Sequence, residues 1–379
     1  MDPISTLLSD GARDASHNGV GQNGEMTSAL FSPLTLRGTT FSNRAWVSPM
    51  CQYSCVDGLA NNWQLIHLGA LATGRAGLVM TEATAVTPDG RIAPEDLGLW
   101  SQAHAEALEP IVAAVESQGV PFGIQLAHAG RKASTFAPWK GSGSVAIADG
   151  GWETVAPSAL AFGPFDVPRE MTSDDLARVK DGFVQSAKWA AEINVDVIEI
   201  HAAHGYLLHE FLSPLSNVRK DGYGGNLEGR MAYPLEIIEA VRAVWPDDRP
   251  LLLRVSATDW VDGGWDLPST VEFARRAAAL GVDLVDVSTA GLDPQQAIAV
   301  GPGFQVPFAE TVRREAGVAT AAVGLITEPA QAEEIIAFGQ ADAVMIGRAM
   351  LREPRWALRA AHELGADIEW APQLVRGRH

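Results

Sequence analysis

The chain has 379 residues, 47% hydrophobic and 20% charged, an ordinary globular composition with enough length for one large core. A net charge of −18 without a basic patch argues against nucleic acid and anionic membrane surfaces as partners. Cys51 and Cys55 cannot form a disulfide framework, no apolar run reaches membrane-spanning length and no cationic start precedes an apolar segment, so the expected location is cytoplasmic.

Residues 1–28 are rich in Gly, Ser, Asn and Asp and predict a mobile extension, with 29–379 as one domain. A literal G-x-G-x-x-G at 19–24 has no strand before it and no helix after it, and is rejected as a dinucleotide site. Residues 34–42 predict a hairpin turning near Arg37-Gly38. Strand-like runs follow at 45–50, 77–84, 122–128, 195–201, 251–256, 283–288, 319–324 and 343–347, most rich in Val, Ile, Leu and Ala, as strands buried on both faces are. Helix-like runs alternate with them at 62–75, 103–118, 174–193, 231–244, 270–280, 308–316, 330–338 and 355–364. Eight even pairs predict an α/β fold, a (β/α)8 TIM barrel, over an open doubly wound sheet. The loops after the third and fourth strands, 129–172 and 205–230, are long enough to shape a substrate pocket, and Trp139 and Trp152 in the first either wall that pocket or pack the loop.

Barrel chemistry sits at strand C-termini. There the fourth strand gives way to His201-Ala-Ala-His204-Gly-Tyr206, two imidazoles able to donate hydrogen bonds to an oxygen and a phenol able to supply a proton. The last two strands end in Gly324 and Gly347-Arg348. One glycine would only ease a tight turn; two at matching ends, one followed by arginine, predict a phosphate site. Cys51 follows Ser48-Pro49-Met50 at the first strand end, while Gln125 and Arg254 lie inside strands. A strand arginine needs an anionic or strongly accepting partner, which a flavin ring supplies, and Gln125 can both donate to and accept from its pyrimidine edge. A metal site is disfavoured because the histidine pair lacks a third ligand, and a Schiff-base lyase because none of the five lysines falls in a predicted strand.

Ser-Pro-Met-Cys51-Gln-Tyr53, Thr-Glu-Ala83-Thr-Ala-Val, Ile-Gln125-Leu-Ala-His-Ala-Gly-Arg-Lys-Ala and the His201–Tyr206 motif, followed by Arg254-Val-Ser, Val-Gly324 and Ile-Gly347-Arg348, resemble in order the Old Yellow Enzyme family, closest to its thermophilic-like branch. The resemblance covers roughly residue 30 to the end. It implies non-covalent FMN, reduced by NADPH or NADH in a ping-pong cycle, and reduction of the C=C bond of activated alkenes: unsaturated carbonyls, maleimides and nitroalkenes. A reductase of nitro compounds or other xenobiotics is the alternative on the same site. His201 and His204 would hold the substrate oxygen, Tyr206 would protonate the α-carbon, Tyr53 would be a second donor, and Cys51 would tune the flavin. Flavin contacts carry over to Ser48, Pro49, Met50, Cys51, Ala83, Gln125, His201 and Arg254, and phosphate or ribityl contacts to Ser288, Gln305, Gly324, Gly347 and Arg348. The family's Asn-Arg after the tyrosine loop is Gly229-Arg230 here. The branch forms homo-oligomers, dimers or tetramers, in which a C-terminal arginine reaches a neighbouring site. Arg376 matches that arginine, with Leu374 and Arg378 in place of its aromatic neighbours. Two cysteines are too few for the iron–sulfur cluster of related dienoyl reductases.

Overall fold

The computed structural model describes residues 28–378, so the expected N-terminal extension and its glycine motif lie almost entirely outside the described residues. The hairpin is present: β1 (Leu34–Leu36) pairs antiparallel with β2 (Thr39–Phe41), with Arg37 at φ 49 in the turn. Next come β3 (Ala45–Val47), β4 (Val79–Ala85) and β5 (Phe122–Ala127). A short parallel pair, β6 (Val155–Ala156) and β7 (Arg169–Glu170), lies within the long loop after β5. Then follow β8 (Val197–Ala202), β9 (Leu251–Ser256), β10 (Leu284–Ser288), β11 (Ala319–Ala322) and β12 (Ala343–Ile346).

The eight long-range strands form one parallel sheet in the order β3-β12-β11-β10-β9-β8-β5-β4. A parallel bridge between Trp46 and Leu78, with Val47 N–H donating to Leu78 O at 2.9 Å, joins its two edges. The result is the expected (β/α)8 barrel. Its helices are α1 (Asn62–Thr73), α2 (Gln102–Glu116), α3 (Ser173–Glu192), α4 (Leu207–Leu212), α5 (Leu227–Arg242), α6 (Leu267–Ala279), α7 (Val306–Ala316), α8 (Pro329–Ala337), α9 (Arg348–Arg352) and α10 (Trp356–Glu363). Their starts are chemically marked. Asn61 and Gln64 cap α1 reciprocally, Thr172 and Asp175 do the same for α3, and Asn226 and Asp266 cap α5 and α6.

Along β8 the pleat sends Ile198 and Ile200 into the layer between sheet and helices, and Val197 into the barrel. Glu199 and His201 share the inward phase with Val197. The barrel floor is apolar: Trp46, Met80, Val197, Leu252 and Leu284 meet there, capped by Phe41 of the hairpin, whose ring lies 4.5 Å from Trp46. Emptying such a position by Trp46→Ala would cost about 3–5 kcal/mol.

Two expectations need correction. The segment after Tyr206 is not irregular throughout, because 207–212 forms α4; all six of its residues are buried, so no 3.6-residue polarity pattern marks it. The next helix begins at Leu227, four residues before the expected start, because Asn226 accepts from Gly229 N–H. Gly229-Arg230 is therefore the first turn of α5, and Arg230 ties it back to Leu212 O and Gly225 O. No helix among the described residues is long and apolar enough to cross a membrane.

Candidate active site

The C-terminal end of β8 delivers His201, which is 3% exposed. The chain then turns sharply, with His204 at φ 59 and Gly205 at φ 70. A Cβ at position 205 would lie 2.2 Å from Gly291 O, so the turn requires glycine. The turn brings the expected trio together: the His204 and Tyr206 rings stand 5.2 and 5.1 Å from His201, each nearly perpendicular to it. His204 N–H donates to Ser256 Oγ at 2.9 Å, and Gly205 N–H donates to His209 Nδ1 at 2.9 Å. His209 is itself anchored through Nε2, 2.9 Å from Asp259 Oδ1 in the core.

Lys132 supplies the remaining brace. Its Nζ donates to His204 O at 2.7 Å and Gly291 O at 2.9 Å, and lies 4.9 Å from the Tyr206 ring centroid. Burial pushes this lysine down to about 8, with Glu210 opposing the shift. Burial also pushes His201 and His204 well below the ordinary imidazole value, and the nearby Arg254 charge adds to it. Both rings are therefore neutral at neutral pH: they can donate N–H groups, but they are not a store of acidic protons. Burial moves Tyr206 the other way, well above 10, so the phenol keeps its proton.

A hydrogen bond assigns the His201 tautomer. His201 Nδ1 accepts from Ala203 N–H at 3.2 Å, leaving the proton on Nε2. His204 Nε2 lies 2.8 Å from Ser288 Oγ. Ser288 Oγ has two polar neighbours, His204 Nε2 and the more distant Gln305 Oε1 at 3.3 Å. Thr289 already donates to that Gln305 oxygen at 2.6 Å. Ser288 Oγ donates to Gln305 Oε1 and its contact with Nε2 fixes the orientation of the His204 ring.

On the facing strand ends, Cys51 and Tyr53 are half-buried and hydrogen-bonded to each other through their side chains, and the Ala83 backbone amide faces the sulfur. Burial pushes the Cys51 thiol well up, and the charges of Asp96 and Glu82 add to it, so the group is a thiol and not a nucleophilic thiolate. Glu82 accepts from Gln52 N–H at 2.9 Å and is raised to about 7 by burial. Of the two loop tryptophans, Trp152 packs, donating to Asp89 O beneath Arg91. Trp139 is 67% exposed and meets Tyr53 edge-on at 5.6 Å.

A cavity of about 160 Å3 opens between the ends of β11 and β12, lined by Gly324, Leu325, Thr327, Gly347, Arg348 and Arg352. Gly324 holds φ 115, and a Cβ there would meet Gln305 Nε2 at 2.7 Å. Gln305 in turn donates to Val323 O at 3.0 Å. Neither Arg348 nor Arg352 forms an ion pair among the described residues, so two unneutralised guanidinium groups flank two glycine-lined strand ends. That donor set fits a phosphate. Toward the barrel axis, Ser48 Oγ accepts from Arg254 at 3.3 Å, Gln125 pairs in register with Ala83, and Met50 Sδ lies 3.5 Å from the Cβ direction of Gly347, with Pro49 between Ser48 and Met50. Glu199 Oε2 and both Asp286 oxygens are buried without a hydrogen-bond donor. The polar groups over this floor, with the phosphate cradle beside them, fit the ring and tail of FMN.

Arg376 is exposed on the final turn, Pro372–Gly377, which packs near α10 around a surface cavity that includes Arg359 and Trp370. Sequence reasoning missed Lys132, Glu199, Asp286 and the bond from Ser288 to His204. The two acids carried a signal: each stands in phase with an inward residue of the same strand, Glu199 with His201 and Asp286 with Ser288. Lys132, in the turn Gly130–Lys132, carried none, since only the fold brings it under the His204 turn.

The family model described as NADH:flavin oxidoreductase / NADH oxidase matches residues 29–367. An NADPH dehydrogenase of Geobacillus sp. is 48% identical over 355 residues, 93% of this chain and 99% of that protein. An NADPH dehydrogenase of Bacillus subtilis is 44% identical over 355 residues, 93% of this chain and 100% of that protein. Among solved structures, morphinone reductase superposes with a TM-score of 0.75 at 26% identity, covering 92% of each chain. With a family match spanning the barrel and relatives this similar over nearly their whole length, the chain belongs to the NADH:flavin oxidoreductase / NADH oxidase family, the FMN-dependent Old Yellow Enzyme group of nicotinamide-driven oxidoreductases.

Proposed function

We propose that this flavin oxidoreductase reduces the C=C bond of activated alkenes, with His201 and His204 gripping the electron-withdrawing oxygen and Tyr206 supplying the proton. The observation that carries the reading is the state of the trio: two neutral imidazoles beside a phenol that keeps its proton. When bound, FMN would supply the hydride chemistry, with NADPH or NADH as reductant in a ping-pong cycle.

The chain's own residues do the rest. His201 Nε2–H and the N–H of His204 draw electron density onto the substrate oxygen and so make the β-carbon electrophilic. Because these rings are neutral, they hold the developing charge by hydrogen bonding and leave protonation of the α-carbon to Tyr206. The Lys132 ammonium beside the phenol ring stabilises the phenolate left behind. Ser288 holds the His204 ring in place. Cys51 and Tyr53 wall the opposite side, with Cys51 tuning the flavin as a thiol and Tyr53 as a second donor. Ser48, Pro49, Met50, Ala83, Gln125 and Arg254 would hold the ring, and Ser288, Gln305, Gly324, Gly347 and Arg348 the tail. Exposed and without an ion pair among the described residues, Arg376 is available to enter a neighbouring subunit's site in a dimer or tetramer.

Anaerobic NADPH oxidation with cyclohexenone tests the reading. It should need the alkene, with no turnover on cyclohexanone, and His204→Ala should lower kcat/KM by about two to three decades. Turnover on nitroaromatics without any on enones would instead favour a nitro reductase.

A further inference from the structure

Beside and beneath His201 the barrel interior carries a row of charge: Arg254 is in register with His201, and Glu199 stands one pleat lower on the same strand. Gln125 is in register with Glu199, and Arg254 with Asp286. Gln125 Nε2 donates to Glu199 Oε1 at 2.7 Å, and Arg254 Nε lies 3.0 Å from Asp286 Oδ2. Glu199 and Asp286 are fully buried, and Gln125 and Arg254 nearly so. Beneath them lies the apolar floor of Trp46, Met80, Val197, Leu252 and Leu284.

The row holds two carboxyl groups and one guanidinium. With both acids ionised, one negative charge would be buried uncompensated, and Glu199 Oε2 would face no donor. An unpaired carboxylate in such surroundings costs several kcal/mol, more than binding a proton near neutral pH does. Arg254 sits against Asp286, so the proton belongs on Glu199. We propose that Glu199 is a positioning residue that carries a proton at neutral pH, fixes the Gln125 amide, and with Asp286 sets the net charge that Arg254 presents to the FMN ring, so that the flavin's reduction potential responds to the ionisation of Glu199.

Burial, and next the Asp286 charge, push Glu199 up to about 8. Burial raises Asp286 too, with Arg254 opposing. Among the described residues, Asp286 and Arg254 are the charges acting on Glu199. His201, two residues along the same strand, stays neutral, and Arg254, His209 and Lys132 act on that imidazole from β9, the helix after the β8 turn and the loop after β5. When Glu199 loses its proton to solvent, the row gains a negative charge and a bound flavin would take up electrons less readily. Protonation reverses it. The inference rests on the FMN reading only for its consequence, since the proton itself is a property of the chain.

Two measurements test it. Infrared spectra of the apo-chain and of the FMN-loaded protein at pH 7, taken as wild type minus Glu199→Gln, should show the C=O stretch of one buried carboxylic acid, the bands of Glu82 and Glu210 cancelling in the difference. No such band in that difference at pH 7 overturns the proposal whether or not FMN binds. Dye-equilibrated potentiometry of the loaded protein should show an added fall in potential as pH rises through about 8. Glu199→Gln should keep the pH 7 potential and abolish that fall, because its amide oxygen still accepts from Gln125. Glu199→Leu, which removes the acceptor, should weaken FMN binding about 5-fold. Persistence of the fall in Glu199→Gln, or a pH 7 potential moved as far as in Asp286→Asn, contradicts the assignment.

Discussion

Tyr206→Phe isolates the proton-transfer step. Phenylalanine keeps the ring beside His201 at 5.1 Å and beneath Lys132, so the substitution removes one O–H and little packing. The neighbouring imidazoles are held neutral by burial and cannot replace the lost acid. A placed general acid is worth roughly two to four decades in rate, about 3–5 kcal/mol. Stopped-flow should therefore find flavin reduction by NADPH nearly unchanged and oxidation of the reduced enzyme by cyclohexenone slowed by that factor. With a nitroalkene the defect should shrink, because the nitronate product survives to take its proton from water. The wild-type enone step should also slow as pH rises through about 8, where Lys132 loses the charge that stabilises the phenolate, while Tyr206 itself remains protonated. The variant should lack that pH dependence. Equal slowing with both substrates, or slowed flavin reduction with normal reoxidation, refutes the proton-donor role.

Three further outcomes follow from the same geometry. Arg348→Ala should lower FMN occupancy on purification and raise the FMN dissociation constant about tenfold, the loss of one charge-assisted hydrogen bond in a site that retains Arg352; unchanged affinity measured by flavin fluorescence argues against the phosphate cradle. Cys51→Ala should retain turnover while shifting the flavin potential, because the thiol is held protonated; loss of all turnover with FMN still bound would point to a covalent role. The thermal midpoint should fall between pH 6.5 and 8.5: Glu82, Glu199 and Glu210 titrate near 7, 8 and 8 in the folded chain against an ordinary glutamate value of 4.5, so the folded state holds protons the unfolded state has released, and each ionisation removes on the order of 1–2 kcal/mol across that window. A flat midpoint there, or one unmoved in its pH dependence by Glu210→Gln, contradicts those assignments.

The barrel was legible because its strands are buried on both faces and read as unbroken apolar runs between amphipathic helices; the predicted 251–256 strand is met residue for residue as Leu251–Ser256. The trio was legible because His201 closes an apolar run and a His-Gly pair must turn there. What escaped was non-local or non-periodic. The six buried residues of α4 have no polar face to set a period, and the brace from Lys132 to His204 O spans 72 residues of sequence. Arg254 was expected to need an anionic partner, and the chain supplies one of its own in Asp286, visible in sequence only as an acid in phase with Ser288.

The central claim is that the trio and FMN together pass a hydride and a proton to an activated alkene. The most direct test is an anaerobic titration. The purified protein should be yellow, be bleached by one equivalent of NADPH per FMN, and regain its colour with one equivalent of cyclohexenone, yielding one equivalent of cyclohexanone. In the His201, His204 and Tyr206 variants bleaching should survive while recolouring slows. A bleached protein that oxygen recolours but cyclohexenone does not, or recolouring without formation of the saturated ketone, would contradict the account.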